Sequence, residues 1–302
     1  MNRPLRLGTR GSPLALAQAQ LVASALRSAH GWGEEAVEIV PITTTGDVIQ
    51  DRPLSEIGGK MLWTRELDRC LADGRTDMSV HSMKDVETDR PRDFTIAAYL
   101  PRDEVTDRLV GADTLAALRR GAVVGTSSPR RKAQLLARRP DLKIVSIRGN
   151  VQTRIAKVGT EVDATLLASA GLNRLGLAGT GSPLPDLLPA PAQGAVGVEV
   201  LASNEEVVEL VKPITDEATQ ACVEVERDFL RGIGGDCHSA VAAIASAGGE
   251  GFYLKAEILS PDGSEVHRRD EKLYGAEGYS PADIARDLLS RASPQLRRLF
   301  AA

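Results

Sequence analysis

Aromatic residues are scarce in this chain: Phe, Tyr and Trp together supply 3% of its 302 residues. Stacking platforms for nucleic acid need such rings, so no nucleic-acid partner is expected. The cores must be filled by Leu, Val, Ile and Ala instead, which suits layers of helix on sheet. Cysteine is also scarce. Cys70, Cys222 and Cys237 are odd in number and far apart, which argues against a disulfide framework and fits a reducing compartment. The four histidines, His30, His81, His238 and His267, show no zinc-ligand spacing with one another or with the cysteines, and no metal is expected. Long apolar runs are missing too. Nothing approaches the roughly 20 residues that a membrane helix needs, and Leu14 to Leu26 is broken by Gln18, Gln20 and Ser24, which is no secretory core. A cytoplasmic monomer without a membrane partner is the expectation.

Acids outnumber Lys and Arg by 41 to 37, for a formal charge of -4, so the molecule as a whole is not drawn to DNA or anionic lipid. The charge is unevenly spread, however. Between Arg119 and Lys157 stand eleven basic residues and one acid, Asp141. Guanidinium forks bind carboxylate or phosphate bidentately, so this segment points to a polyanionic partner. Arg138 and Arg139 read as a solvated helix face. Arg130, Arg131 and Arg148 follow strand ends and read as site residues.

The length suits two or three domains. The organising stretch is Met78 to Asp85, an apolar run that ends in Lys84 and Asp85 side by side. A strand there delivers the pair to its C-terminal edge, where open α/β sheets bind ligands. Leu5 to Thr9 is a buried first strand, and Arg10-Gly11-Ser12-Pro13 opens a long amphipathic helix with Ser12 as N-cap and Pro13 at N1. The free N–H groups of that helix, with Arg10 and Ser12, make an anion site. Val37 to Thr43 is a second strand, Thr44 to Lys60 a lid-like loop, and Phe94 to Leu100 a further strand. Val123 to Thr126, Ser128 and the helix from Pro129 repeat the opening pattern. Ser12-Pro13 aligns on Ser128-Pro129, and Ala17-Gln18 then falls on Ala133-Gln134. Leu142 to Ile147, Ala164 to Ala170 and Gln193 to Val200 are strands, the last returning to the first lobe. Two crossings between lobes make a hinge. Thr215 to Leu230 is a helix, Ala240 to Ala247 and Phe252 to Leu259 are strands, and Ser280 to Phe300 is a closing helix. Cys70 and Cys222 read as packing residues.

These residues also carry a resemblance. Thr9 to Ala15, Gly58-Gly59-Lys60, Val80 to Asp85, Gly125 to Arg131, Arg148 to Val151, Ala170 to Leu177 and Gln193 to Glu199 closely resemble the porphobilinogen deaminase family, also called hydroxymethylbilane synthases. The last third matches more loosely, through the glycines before Cys237 and Cys237 itself. The resemblance implies an α/β fold of three domains: two periplasmic-binding-protein-like lobes flanking a cleft, plus a smaller C-terminal α/β domain. The expected boundaries are 1–100 with the return segment 193–212, then the Arg-rich 101–192, then 213–302 carrying the Cys loop. It implies a transferase that joins four porphobilinogen molecules, with loss of ammonia, into the linear tetrapyrrole hydroxymethylbilane. The primer implied is a dipyrromethane held covalently by Cys237.

Residue by residue, the resemblance makes Asp85 catalytic. Lys84, Ser128, Arg130 and Arg131 become cofactor-binding residues, Ser127 lies beside them, and Arg10, Ser12, Arg148, Arg154 and Arg174 become substrate-binding. Lys60 belongs to the lid. The chain departs from the family at its Cys loop, where Asp236 precedes Cys237 and Ala240 replaces a common proline. Val105-Thr106 also stands where the family often has Pro-Arg. An acid beside the thiol is expected to raise its pKa. The alternative from another class is a non-catalytic two-lobed anion-binding protein of the same fold.

Overall fold

A computed structural model describes residues 3–44, 64–236, 238–248, 251–274 and 279–300. The chain divides into two compact units, Met1–Asp103 with Gly194–Gln220, and Glu104–Gln193 with Ala221–Ala302.

The first unit is built on β1 (Leu5–Arg10), β2 (Val37–Ile42), β3 (Met78–Ser82) and β4 (Phe94–Tyr99), joined by a strand from the return segment. That strand, Val196–Leu201, is β10, the tenth in chain order. The order is β2-β1-β3-β10-β4, with β1 parallel to β2 and β3, and β10 antiparallel to both its neighbours. All five residues from Val196 to Val200 are buried, as an interior strand covered on both faces requires. The Pro13–His30 helix packs Val22, Ala23 and Leu26 on Leu5, Leu7 and Val198. It starts where expected, with Ser12 Oγ accepting from Ala15 N at 3.3 Å. It stops at Gly31, whose φ of 66° is left-handed and easy only for glycine. The Arg65–Ala72 helix buries Leu67, Cys70 and Leu71.

The second unit repeats this plan. Its sheet runs β7 (Lys143–Val145), β6 (Val123–Gly125), β8 (Ala164–Ala168), β5 (Asp107–Val110), β9 (Ser182–Leu184). The first three strands are parallel and β5 is antiparallel to both neighbours. Each sheet therefore receives as its fourth strand the segment just after a chain crossing. A three-stranded antiparallel sheet, β11 (Val241–Gly248), β12 (Gly251–Leu259) and β13 (Val266–Tyr274), packs on Phe229 and Ile233 of the Glu217–Ile233 helix and on Ile284 and Leu288 of the Pro281–Arg291 helix. The β12–β13 turn docks on the Pro129–Arg138 helix. Gly263 there has φ 71°, and a Cβ on it would come within 2.4 Å of Ala137 N.

The structure corrects several element expectations. Ala164 to Ala170 is a strand only to Ala168, and Ser169–Arg174 is helical. The closing helix is two helices, because Ala292 is extended and Ser293 caps a new one at Pro294. β5, β9 and β13 were not anticipated. β9 contains Pro183, which reads as loop, and β13 runs Val-His-Arg-Arg-Asp-Glu-Lys with no apolar stripe, as suits an edge strand.

Candidate active site

In the first unit the ends of β1 and β3 and the start of the Pro13–His30 helix enclose a pocket. Arg10, Ser12, Gln18, Thr64, His81, Ser82 and Asp85 line it. Asp85 does not sit on the strand itself but in the single 3-10 turn Met83–Asp85 that follows β3. That turn swings its carboxylate to the helix start. Lys84 occupies the same turn and is half-buried. Gln18 is buried and donates to Ser82 Oγ at 2.8 Å, fixing the strand end against the helix. Arg10, Ser12 and Asp85 are thus brought together as the sequence suggested.

The same unit buries a charge cluster that sequence reading missed. Glu199 on β10 is fully buried and lies 2.7 Å from Arg90 Nε, while its Oε2 is 2.9 Å from His81 Nε2. Arg90 also donates to Asp68 at 2.6 Å and to Glu87 at 2.7 Å, and it covers the Phe94 ring at 5.5 Å. Burial pushes the Asp68 carboxyl up against the pull of Arg90. Burial acts on Glu199 in the same sense, but His81 and Arg90 outweigh it and hold that carboxyl below its usual range. The missed signal was the lone acid inside the apolar run Val196 to Val200.

In the second unit the predicted residues Ser128, Arg130 and Arg131 open one helix. Ser128 Oγ accepts from Arg131 N at 3.4 Å. Ser127 Oγ donates to Ile147 O at 2.6 Å, tying the end of β6 to the segment after β7. Both guanidiniums turn inward onto Asp107, the first residue of β5: Arg130 Nη2 is 2.8 Å and Arg131 Nη2 2.7 Å from its oxygens. Gln193 Nε2 adds a third contact at 2.9 Å. Asp107 is completely buried, which alone would raise its pKa; the two arginines reverse the effect and hold it far below the usual carboxylate range. Gln134, the counterpart of Gln18, bridges Arg130 and Glu257.

Arg148 precedes Gly149, whose φ of 108° and close approach to Thr153 exclude a side chain. Asn150 Oδ1 caps the next helix at Thr153 N, and Arg154 Nε holds Gly149 O at 2.9 Å. Arg148 and Arg154 are therefore presented on one turn. Arg174 ends the Ser169–Arg174 helix, apart from that turn in sequence and half-buried. Arg138 and Arg139 correct the solvated-face reading: both brace loops, Arg138 on Asp186 O and Arg139 on Asp141 and Leu115 O. Around the Cys loop, Asp236 Oδ1 accepts from His238 N at 2.8 Å and from Ser239 Oγ at 3.3 Å. Lys60 and Cys237 lie outside the described residues.

Among the described residues no group of three or more candidate metal ligands occurs, and no helix is long and apolar enough to cross a membrane. Fold and pocket together define an α/β protein with two five-stranded sheets of one strand order and a smaller third sheet, whose first unit sets one acid, Asp85, beside Arg10 and Ser12. A family profile described as "Porphobilinogen deaminase, dipyromethane cofactor binding domain" matches residues 5–209, and one described as "Porphobilinogen deaminase, C-terminal domain" matches residues 220–288. The porphobilinogen deaminase of Sphingopyxis alaskensis is 49% identical over 99% of this chain and 98% of that protein; that of Paracoccus denitrificans is 47% identical over 96% and 95%. The chain belongs to the porphobilinogen deaminase family. A distant likeness also exists to the second substrate binding domain of a putative amino acid ABC transporter from Streptococcus pneumoniae, with TM-score 0.41 and 12% identity over 70% of this chain and 90% of that one.

The family's cofactor is a dipyrromethane, a two-ring polycarboxylate, and the second unit's residues fit such a group. Arg130 Nε is buried without a hydrogen-bond partner. Two arginines face a single aspartate, which leaves one positive charge over. The helix starts capped by Ser128 and Asn150 follow parallel neighbours β6 and β7 and therefore open at the same sheet edge.

Proposed function

We propose that this chain condenses four porphobilinogen molecules head to tail, with loss of ammonia each time, into linear hydroxymethylbilane, and that Asp85 is its catalytic carboxylate. The observation that carries the reading is the pocket that sets Asp85 beside Arg10 and Ser12 at one helix start. Departure of ammonia from the aminomethyl group leaves a cation whose charge spreads to the pyrrole nitrogen. A fixed carboxylate near that N–H stabilises it; opposite charges 4 Å apart interact by about 4 kcal/mol at an effective dielectric of 20. Arg10, Ser12 and the helix N–H groups orient an acetate or propionate arm so that the reacting carbon faces Asp85.

Lys84, Ser128, Arg130 and Arg131 would hold the dipyrromethane, with Cys237 as its covalent anchor; when bound, it supplies a tethered nucleophilic pyrrole from which growth starts. Arg148, Arg154 and Arg174 grip substrate carboxylates, and Lys60 serves a lid. Residues 1–100 with 193–212, 101–192 and 213–302 are the three functional divisions. The protein acts as a monomer in the cytoplasm. Family membership favours this reading over a non-catalytic anion-binding protein. The test is incubation with porphobilinogen followed by acid oxidation, which should yield uroporphyrin, and an intact mass exceeding the sequence mass by one dipyrromethane. Bound porphobilinogen with no product and no added mass would leave only the anion-binding protein.

A further inference from the structure

Only one ring lines the Asp85 pocket among the described residues, that of His81. It stands on β3, where the antiparallel register sets Gly197 of β10 opposite it and makes Glu199 the diagonal neighbour on the same face. His81 Nε2 and Glu199 Oε2 are 2.9 Å apart, a contact whose donor geometry falls short of a hydrogen bond. Such contacts are often imperfectly aligned before substrate binds. The pairing of β10 with β4 skips Ala97 on β4, while β10 keeps its regular register with β3 through Glu199. Arg90 grips Glu199 from Nε at 2.7 Å and Nη2 at 3.0 Å, so the carboxylate cannot swing away from the ring.

A buried, ionised carboxylate at one ring nitrogen has a defined chemical effect. It favours the tautomer with hydrogen on Nε2 and leaves Nδ1 as the basic atom. Arg90 offsets the cost of burying the Glu199 anion, and the second oxygen of that carboxylate is turned to the ring.

We propose that His81 is the proton carrier of this pocket and Glu199 its positioning residue, an assignment that rests on the condensing reaction proposed above. In each addition the C–N bond of the protonated aminomethyl group breaks with its electron pair leaving on ammonia. The new C–C bond takes its pair from the α-carbon of the acceptor pyrrole. That carbon must then release its hydrogen as a proton to recover an aromatic ring. Nδ1 of His81 takes the proton and returns it to the departing ammonia, so ammonium is the sole by-product and the imidazole ends neutral. Asp85 stays ionised opposite the cation and need not carry the proton. The charged groups around the ring are Glu199 on β10, Asp85 in the turn after β3, Arg10 at the end of β1, Asp68 on the Arg65–Ala72 helix, and Arg90.

The test compares wild type, His81→Gln and Glu199→Gln, with cofactor loading read by intact mass. Porphobilinogen consumption is followed across pH, and the ring's tautomer is read by long-range nitrogen–proton NMR, the His81 signals being those that His81→Gln lacks. Loaded His81→Gln should lose about a hundredfold in kcat, the lower end of the range for a general base, with KM little changed and one ionisation missing from its pH–rate profile. Glu199→Gln should lose less and turn the Nε2–H form into a mixture. Wild-type kcat and pH profile in His81→Gln overturns the role, as does an Nδ1–H tautomer in wild type. If His81→Gln fails to load or fold, the wild-type tautomer and the Glu199→Gln spectrum decide. A wild-type protein that leaves porphobilinogen unconsumed overturns the function and this role together; a working wild type with an unaltered variant overturns the role alone.

Discussion

The two five-stranded sheets share a strand order and a strand–cap–helix opening, yet they bury charge of opposite balance. Behind the first sheet's pocket three acids, Glu199, Asp68 and Glu87, surround one arginine, Arg90. In the second sheet two arginines, Arg130 and Arg131, surround one acid, Asp107. In both, the antiparallel fourth strand supplies the central carboxylate. The difference maps onto the chemistry: an excess of negative charge suits a site where a cation develops, and an excess of positive charge suits one that grips carboxylates. One scaffold, used twice, serves both needs by a change in which sign is left over.

Substitutions at the two centres would break this comparison most sharply. Asp107→Asn leaves two buried guanidiniums facing each other and should cost about 3–5 kcal/mol in denaturant unfolding. The pH dependence follows from its depressed pKa. Because the folded value lies below the unfolded value of about 3.9, Asp107 contributes its full stability above that pH and loses it as pH falls below. The variant's deficit relative to wild type should therefore hold from neutrality down to about pH 4 and shrink below it.

Arg90→Gln probes the opposite case, since it leaves carboxylates without their cation. Asp68 is already pushed up by burial and without Arg90 should titrate higher still, while Glu199, now held below its usual range by His81 and Arg90, should move up as it loses one of those partners. A raised folded pKa means stability gained as pH falls. The variant should cost a few kcal/mol at pH 8 and recover part of it near pH 5, in unfolding midpoints measured at both. An Arg90→Gln deficit that does not change with pH would contradict the acid-excess picture.

Turnover separates the sheets next. Asp85→Asn should lower kcat about 10²–10³-fold, the scale for removing one fixed electrostatic stabiliser; Asp85→Glu keeps the charge misplaced and should fall between. Equal activity in Asp85→Asn would remove Asp85 from the chemistry. The smallest effect is expected at the Cys loop. Asp236 serves as an acceptor for His238 N and Ser239 Oγ, so Asp236→Asn should load cofactor as wild type does, while Asp236→Gly should load a few-fold more slowly, by intact mass over time. Faster loading in both would mean that the charge, not the turn, governs the thiol.

Much of this molecule was legible because local chemistry and global fold agree. Ser12-Pro13 and Ser128-Pro129 are capping signals that need only a helix to follow, and both helices begin there. The internal repeat was visible in four matched positions, yet it reflects two sheets of one order. Asp85 and Arg10 could be paired because each follows an apolar strand, and parallel neighbours end at the same edge. What stayed hidden were partners made by long-range pairing. Nothing near Arg130 in the chain announces Asp107, 23 residues away, and nothing near His81 announces Glu199.

The sequence by itself determined the strand ends, the caps and the choice of cations, because these depend on neighbours within a turn or two of chain. Only the tertiary structure decided which of those cations turn inward and which acid stands behind the pocket, because that follows from strand order and register. Register sets which side chains meet across a sheet, and no stretch of sequence carries both halves of such a pair.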